Sequence, residues 1–269
     1  MDNDSRRDLI EQLRAAAQQQ LSERHQDHED AVGKMQALGS KTDAATIDLL
    51  FAYLQQTDND LLRPLAASRL SEIGNAAIVH RLTALLPIIS DDNICILILQ
   101  VLADIGLPEA TPAIIEVLAS ERSINAVARA AFALGKTGGD DAYRALMLIL
   151  DKESETKIRQ QAIAALGWLG NDRCVPDLVQ IMQTDSDKET QTYAAEALGR
   201  LGSTASYAPL VATLQNQSYL PIVRYYAAYA LGLLGNQRAI KPLQAIVNTL
   251  DEHTWVVQMA TESLEKLSE

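Results

Sequence analysis

The sequence predicts an all-α protein: a right-handed α-solenoid of stacked helix pairs with a period of about 32 residues. Three observations carry this. First, Gly74, Gly106, Gly138, Gly170, Gly202 and Gly235 follow one another at intervals of 32, 32, 32, 32 and 33 residues. Each closes a similar phrase, such as "AALGWLG" or "YALGLLG", and Ser268 closes a degenerate seventh copy, "LEKLSE". Second, apolar columns run at fixed offsets from these glycines. Leu70, Leu102, Leu134, Leu166, Leu198 and Leu231 lie four residues before them. Eight before them come Ala66, Ile98, Ala130, Ala162, Ala194 and Ala227, and eight after them Leu82, Ile114, Leu146, Leu178, Leu210 and Leu243. Offsets that differ by three and four are helix spacing. Third, apolar residues make up 48 % of the chain while aromatics supply only 4 %, a balance that suits helices packed through small and medium side chains.

Taken in order, residues 1–42 read as N-terminal capping helices ending at "MQALG", and residues 43–269 as a solenoid of about seven repeats. The first helix of a unit starts just after a closing glycine, where Pro112, Pro176, Pro209 and Pro242 fall; a missing N–H costs nothing in a first turn. Between the two helices stand "SDDN", "LDKESE" and "TDSDKE", which offer Asp, Asn and Ser as caps for the second helix. The second helix carries the repeated phrase and ends at glycine, which adopts the left-handed conformation without a Cβ penalty. One such pair cannot bury its apolar face alone. Stacked pairs share a core, and the repeated phrase is the seam where small residues let neighbouring helices approach.

These units resemble HEAT repeats, and "VRYYAAYALGLLGN" (Val223 to Asn236) resembles the short HEAT-like repeat of the phycobilisome-lyase type. The resemblance covers residues 43–269 and implies an armadillo-like helical stack whose second helices line the concave side. It also implies a structural use for Arg63, Arg159 and Arg224, which share the column eleven residues before glycine. In HEAT-like units an arginine there bonds carbonyls or an aspartate in the turn between helices.

Shared columns build the stack, so variable positions supply a binding surface. On the second helices, positions 13, 10, 9, 6 and 2 residues before glycine line the face opposite the Leu/Ala columns. Six of the chain's twelve aromatics fall there: Phe132, Trp168, Tyr193, Tyr225, Tyr226 and Tyr229. Arg129 and Arg200 stand beside them. Tyr, Trp and Arg dominate binding hot spots because they bury much area and keep a polar handle. These eight residues are the predicted partner-binding site. Ile96 and Leu97 add an apolar patch to the same face.

The rest of the sequence mainly excludes. A formal charge of -12 opposes binding to nucleic acid and to anionic membranes. The longest apolar run, "ICILILQVLADIG", is too short for a membrane span. The polar start, "MDNDSRRDLIEQLRAAAQQQ", lacks the apolar core of a signal peptide, so a cytoplasmic protein is expected. Cys95 and Cys174 form neither a disulfide framework nor a zinc motif. Cys95 reads as core packing. Cys174 opens a first helix, where the positive helix end could activate a thiol. His25 and His28, amid Glu23, Asp27, Glu29 and Asp30, make a polar helix face rather than a metal site. HEAT-repeat di-iron hydroxylases carry several His-Glu dyads; His28-Glu29 is the one here. No nucleophile set, phosphate loop or dinucleotide fingerprint is present, so no catalytic residue, metal or cofactor is expected.

The sequence therefore points to a non-catalytic scaffold or adaptor that holds a partner protein on its concave, aromatic-rich face, with pairing of two copies left open. The lyase resemblance implies an alternative, a subunit that attaches bilin to a phycobiliprotein. Its "R-Y-Y-A-A" helix is matched by Arg224, Tyr225, Tyr226, Ala227 and Ala228. There the tyrosines would line a pigment pocket, with Arg224 or Arg200 meeting a propionate.

Overall fold

The computed structural model describes residues 29–30, 32–33, 37–38, 42–56, 62–152, 155–250 and 252–268. The helices expected over 1–42, including His25 and His28, thus lie almost wholly outside the described residues. The chain divides into two compact units, Met1–Gly74 and Asn75–Glu269. In the first, α1 (Ala44–Gln56) and α2 (Leu62–Ile73) pack on each other. Asp43 opens α1 by accepting the Thr46 N–H at 2.8 Å.

The second unit is a succession of helix pairs: α3 (Ala76–Leu85) with α4 (Asp92–Ile105), α5 (Thr111–Leu118) with α6 (Ile124–Thr137), α7 (Gly139–Lys152) with α8 (Thr156–Leu169), α9 (Val175–Thr184) with α10 (Lys188–Leu201), α11 (Tyr207–Gln215) with α12 (Pro221–Leu234), and α13 (Ile240–Val247) with α14 (Thr254–Ser268). Within this unit each second helix packs on its own first helix and, most extensively, on the neighbouring second helices, in one row from α4 to α14. The architecture is the α-solenoid that the repeat predicts. Every member of the three apolar columns is fully buried, and each leucine so placed contributes roughly 1.5–3 kcal/mol relative to exposure.

The ends of the helices follow the sequence with two refinements. Gly106, Gly170, Gly202 and Gly235 close α4, α8, α10 and α12 with φ between 65° and 72°. The asparagine or serine after a closing glycine caps the next unit: Asn171, Ser203 and Asn236 accept the N–H of Arg173, Ala205 and Arg238 at 3.0–3.2 Å. A 3-10 turn intervenes before α9, α11 and α13. Gly138 differs, because Gly139 follows it with a second positive φ, 91°, and α7 begins at once. Asp91 and Asp187 cap α4 and α10 as expected, and Ser123 caps α6. In "LDKESE", Glu155 stands at the N-cap of α8 and makes no side-chain cap hydrogen bond; Glu153 and Ser154 lie outside the described residues.

From α6 onward the seam depends on a second glycine, three residues before the closing one; the first two phrases hold Ser71 and Ala103 there. A Cβ on Gly135, Gly167, Gly199 or Gly232 would come within 2.5–2.9 Å of Ala165, Ala197, Ala230 or Ser263 on the next second helix. Non-bonded carbons settle about 3.5–4.0 Å apart. These helices are therefore held at a spacing that only glycine against a small residue permits.

Candidate functional site

Two members of the arginine column, Arg159 and Arg224, bond groups in the turns between helices, the structural use that the family resemblance implies. Arg224, on α12, donates through Nε to the Leu214 carbonyl at 2.8 Å and through Nη1 and Nη2 to the Glu252 carboxylate at 2.8 and 2.5 Å. The pair is buried, and hydrogen bonding to Arg224 holds the Glu252 carboxyl below the usual glutamate range. Arg159 makes the equivalent ion pair with Asp185. Where the column holds Cys95, an arginine arrives from the opposite side. Arg122 reaches back from the next turn to Asp92 and to the Leu86 and Ile89 carbonyls at 3.0, 2.9 and 2.5 Å. Arg224 is thus committed to the frame.

The second helices present the predicted ridge in one layer. On α6, the Arg129 guanidinium lies 5.6 Å from the Phe132 ring centre and donates to Gln100 Oε1 at 2.6 Å. Lys136, one turn beyond Phe132, places its Nζ 3.1 Å from the centre of the Trp168 ring on α8. Arg200 on α10 lies 4.0 Å from the same ring and bonds Glu196 Oε1 at 2.5 Å. Trp168 is nonetheless 43 % exposed. Burial, then the nearby Arg200 charge, pulls the Lys136 ammonium below its ordinary pKa, against a smaller opposing effect of Asp104.

A tyrosine cluster continues the ridge on α12. Tyr225 and Tyr226 meet edge to face at 5.1 Å, and Tyr226 and Tyr229 at 6.4 Å. Each ring is half-buried. Tyr193, on α10, shares with Tyr226 and Ile222 an open pocket of about 410 Å³ whose other lining includes Lys188, Glu189 and Glu196. Burial raises the Tyr193 phenol pKa, with Glu189 and Glu196 adding to it; burial and then Glu262 do the same for Tyr225. A second pocket of about 390 Å³ lies between Ile96, Arg129, Phe132 and Lys157.

The eight predicted residues therefore form two groups on one face. Arg129, Phe132, Trp168 and Arg200 join through cation–ring contacts that include Lys136, and Tyr193 joins the three tyrosines of α12. Tyr143 and Tyr207 lie elsewhere, on first helices, each against an arginine of the next unit: Arg173 at 4.3 Å and Arg238 at 4.8 Å. Two residues escaped the sequence reading. Trp255, 59 % exposed, and Lys266, whose Nζ lies 5.3 Å from the Tyr229 ring, occupy the ridge register of α14. Counting back 13 and 2 residues from Ser268 would have found them.

Cys174 is not an activated thiol. It is fully buried and donates to the Asn171 carbonyl at 3.0 Å, and burial pushes its pKa up to about 11. Desolvation outweighs the helix end because the charged thiolate has no water to meet. Cys95 is also buried. Neither thiol is expected to react with iodoacetamide at pH 8 in the native protein, while both react in denaturant. Rapid native labelling, counted by mass spectrometry, would contradict this. Among the described residues no three His, Cys, Asp or Glu side chains converge as a metal site, and no helix is long and apolar enough to cross a membrane.

Residues 82–167 and 144–221 match the family described as HEAT repeats, and residues 223–249 match the PBS lyase HEAT-like repeat. No curated protein sequence matches the chain. Among solved structures, the complex of CpcE and CpcF of phycocyanin lyase from Nostoc sp. PCC7120 is 20 % identical, with a TM-score of 0.53 over 84 % of this chain and 96 % of that one. The YibA protein of Escherichia coli is 17 % identical, with a TM-score of 0.51 over 88 % and 86 %. Kap95p, solved with RanGDP, is 12 % identical with a TM-score of 0.52; the match covers 82 % of this chain and 35 % of Kap95p. At these identities the likeness is one of fold.

Proposed function

Since the chain belongs to the HEAT-repeat family, we propose that it is a non-catalytic cytoplasmic scaffold that holds a partner protein along the ridge of its second helices, the concave side in stacks of this kind. One observation carries the reading. Aromatic and cationic side chains from Arg129 to Tyr229 stand on one face of four successive second helices in two groups, with Trp168 left open to solvent. Buried rings with a polar edge are what protein interfaces use as anchors. The CpcE–CpcF and Kap95p–RanGDP structures are themselves complexes with a second protein, which accords with this use of the fold.

The test compares capture from a source-cell lysate by the wild type and by a Tyr225→Ala/Tyr226→Ala/Tyr229→Ala variant matched in thermal stability. Capture of one specific partner is expected to fall at least about tenfold, since anchor truncations commonly cost 2 kcal/mol or more. Equal recovery by both baits would remove the ridge as the site. A phycobiliprotein arriving with its pigment would instead favour the bilin-lyase alternative. That alternative has one anchor fewer than its motif implies: Arg224 is committed to Glu252 and Leu214, leaving Arg200 for a propionate.

A further inference from the structure

We infer that the partner's docking segment is an extended, acidic stretch of polypeptide that lies across α6, α8 and α10, with its carboxylates meeting Lys136 and Arg200 on either hand of Trp168. This rests on the scaffold reading above and names the chemistry of its partner.

The charge of the ridge runs against that of the molecule. The chain carries 23 Lys and Arg against 35 Asp and Glu. Yet the ridge positions of α6 and α8 hold Arg129, Lys136 and Lys157 and no acid, while those of α10 hold Arg200 with Glu189 and Glu196, a balance of four cations to two acids over the three helices. Lys136 makes no ion pair among the described residues; its ammonium is spent on the Trp168 and Phe132 rings, 3.1 and 5.9 Å from their centres. A partly desolvated ammonium with no ion-pair partner, and only the weaker effect of Asp104 to offset the Arg200 charge, is stabilised by any carboxylate brought to it. Arg200, also on Trp168, pairs among the described residues with Glu196 alone. The exposed indole between the two cations supplies apolar area for the stem of the docked chain.

Geometry favours an extended segment. Neighbouring helices lie about 8–10 Å apart and an extended chain advances about 3.3 Å per residue, so roughly every third residue meets the next helix. Lys136, Trp168 and Arg200 occupy the same register on three successive second helices, which makes them one such row. A nucleic acid fits less well. It is charged at every residue, and beyond this short row it would run over a strongly acidic surface.

The experiment measures fluorescence anisotropy of a fluorescein-labelled dodecapeptide of four Glu-Leu-Ser units binding to the full-length protein. The comparison peptide has Gln in place of each Glu. The Glu peptide is expected to bind at least about tenfold more tightly, with affinity falling as salt rises. A Lys136→Gln/Arg200→Gln variant with an unchanged melting curve is expected to lose that preference, whereas Tyr225→Ala/Tyr229→Ala keeps it. Equal binding of the two peptides would overturn the inference, as would an unaltered double variant. So would an oligothymidylate that binds as tightly as the Glu peptide. If the Glu peptide fails while the lysate partner is still captured through the tyrosines, the acidic chemistry falls and the scaffold stands. If neither the tyrosine variant nor the Lys136→Gln/Arg200→Gln variant loses the partner, the scaffold reading itself falls.

Discussion

Gly199→Ala is expected to destabilise the protein by roughly 1–3 kcal/mol, the usual cost of overpacking a tight core. The sign is the notable part. Inside a helix, Gly→Ala ordinarily stabilises by about 0.5–1 kcal/mol because alanine has less backbone entropy to lose. Here the new Cβ would sit 2.5 Å from both the Cα and the Cβ of Ala230, so α10 and α12 must separate. Helix separation also loosens contacts along the rest of the seam, including Leu198 and Leu231, which are fully buried. Adding Ala230→Gly should recover little, since the Ala230 Cα remains in the way. Gly232→Ala offers the contrast. Its nearest neighbours are Ser263 Oγ and Cβ at 2.8 and 2.9 Å, so Ser263→Gly should relieve most of the clash, less about 1 kcal/mol for the lost Ser263 bond to the Ala228 carbonyl. Urea denaturation checks all four variants. A Gly199→Ala protein as stable as the wild type would mean that the helices are not held at glycine spacing.

The second large effect is expected at Arg224. Removing it by Arg224→Ala leaves the Glu252 carboxylate buried without its counter-charge and the Leu214 carbonyl without its donor. Breaking a buried pair from one side costs about 3–5 kcal/mol. Arg144→Ala is the surface control: Arg144 pairs with Asp141 in the open, both side chains about two-thirds exposed, and such pairs contribute about 0–1 kcal/mol. An Arg224→Met/Glu252→Leu variant should regain much of the loss, because apolar replacements remove the stranded charge. The pair also fixes a pH dependence. Glu252 has a folded pKa below the ordinary glutamate value of 4.5. Its contribution is therefore whole above that value and disappears as pH falls through the folded one. The wild type should lose stability across that acid range more steeply than the Met/Leu variant. Parallel acid limbs would show that the pair does not matter to folding.

What the sequence made legible is what repeats down a column. The apolar residues at four and eight residues before glycine were readable because they recur at the same offset and are buried in every unit. The inner glycines were present in the same phrase. Their purpose was not readable, because it depends on which atom of the next helix lies opposite, Ala165 for Gly135 and Ser263 for Gly232. The arginine column was legible at Arg159 and Arg224 and opaque at Cys95, where Arg122 does the same work from the following turn. On the ridge, the individual aromatics could be picked out one helix at a time. The contact of Lys136 and Arg200 with a single Trp168 ring appears only when the same register is followed across three helices. Cys174 shows the limit of local reasoning: a helix start predicts an acidified thiol, and the burial that reverses the sign comes from packing distant in sequence.

The central claim is that partners dock on the second-helix ridge and not on the outer, first-helix surface. A photo-reactive benzophenone side chain placed at Tyr226, and separately at Leu148 on α7, which is 52 % exposed, tests it in one experiment. After irradiation in a source-cell lysate, a single cross-linked partner is expected from the Tyr226 position and none from Leu148. The same partner cross-linked from Leu148 and absent from Tyr226 would contradict the account.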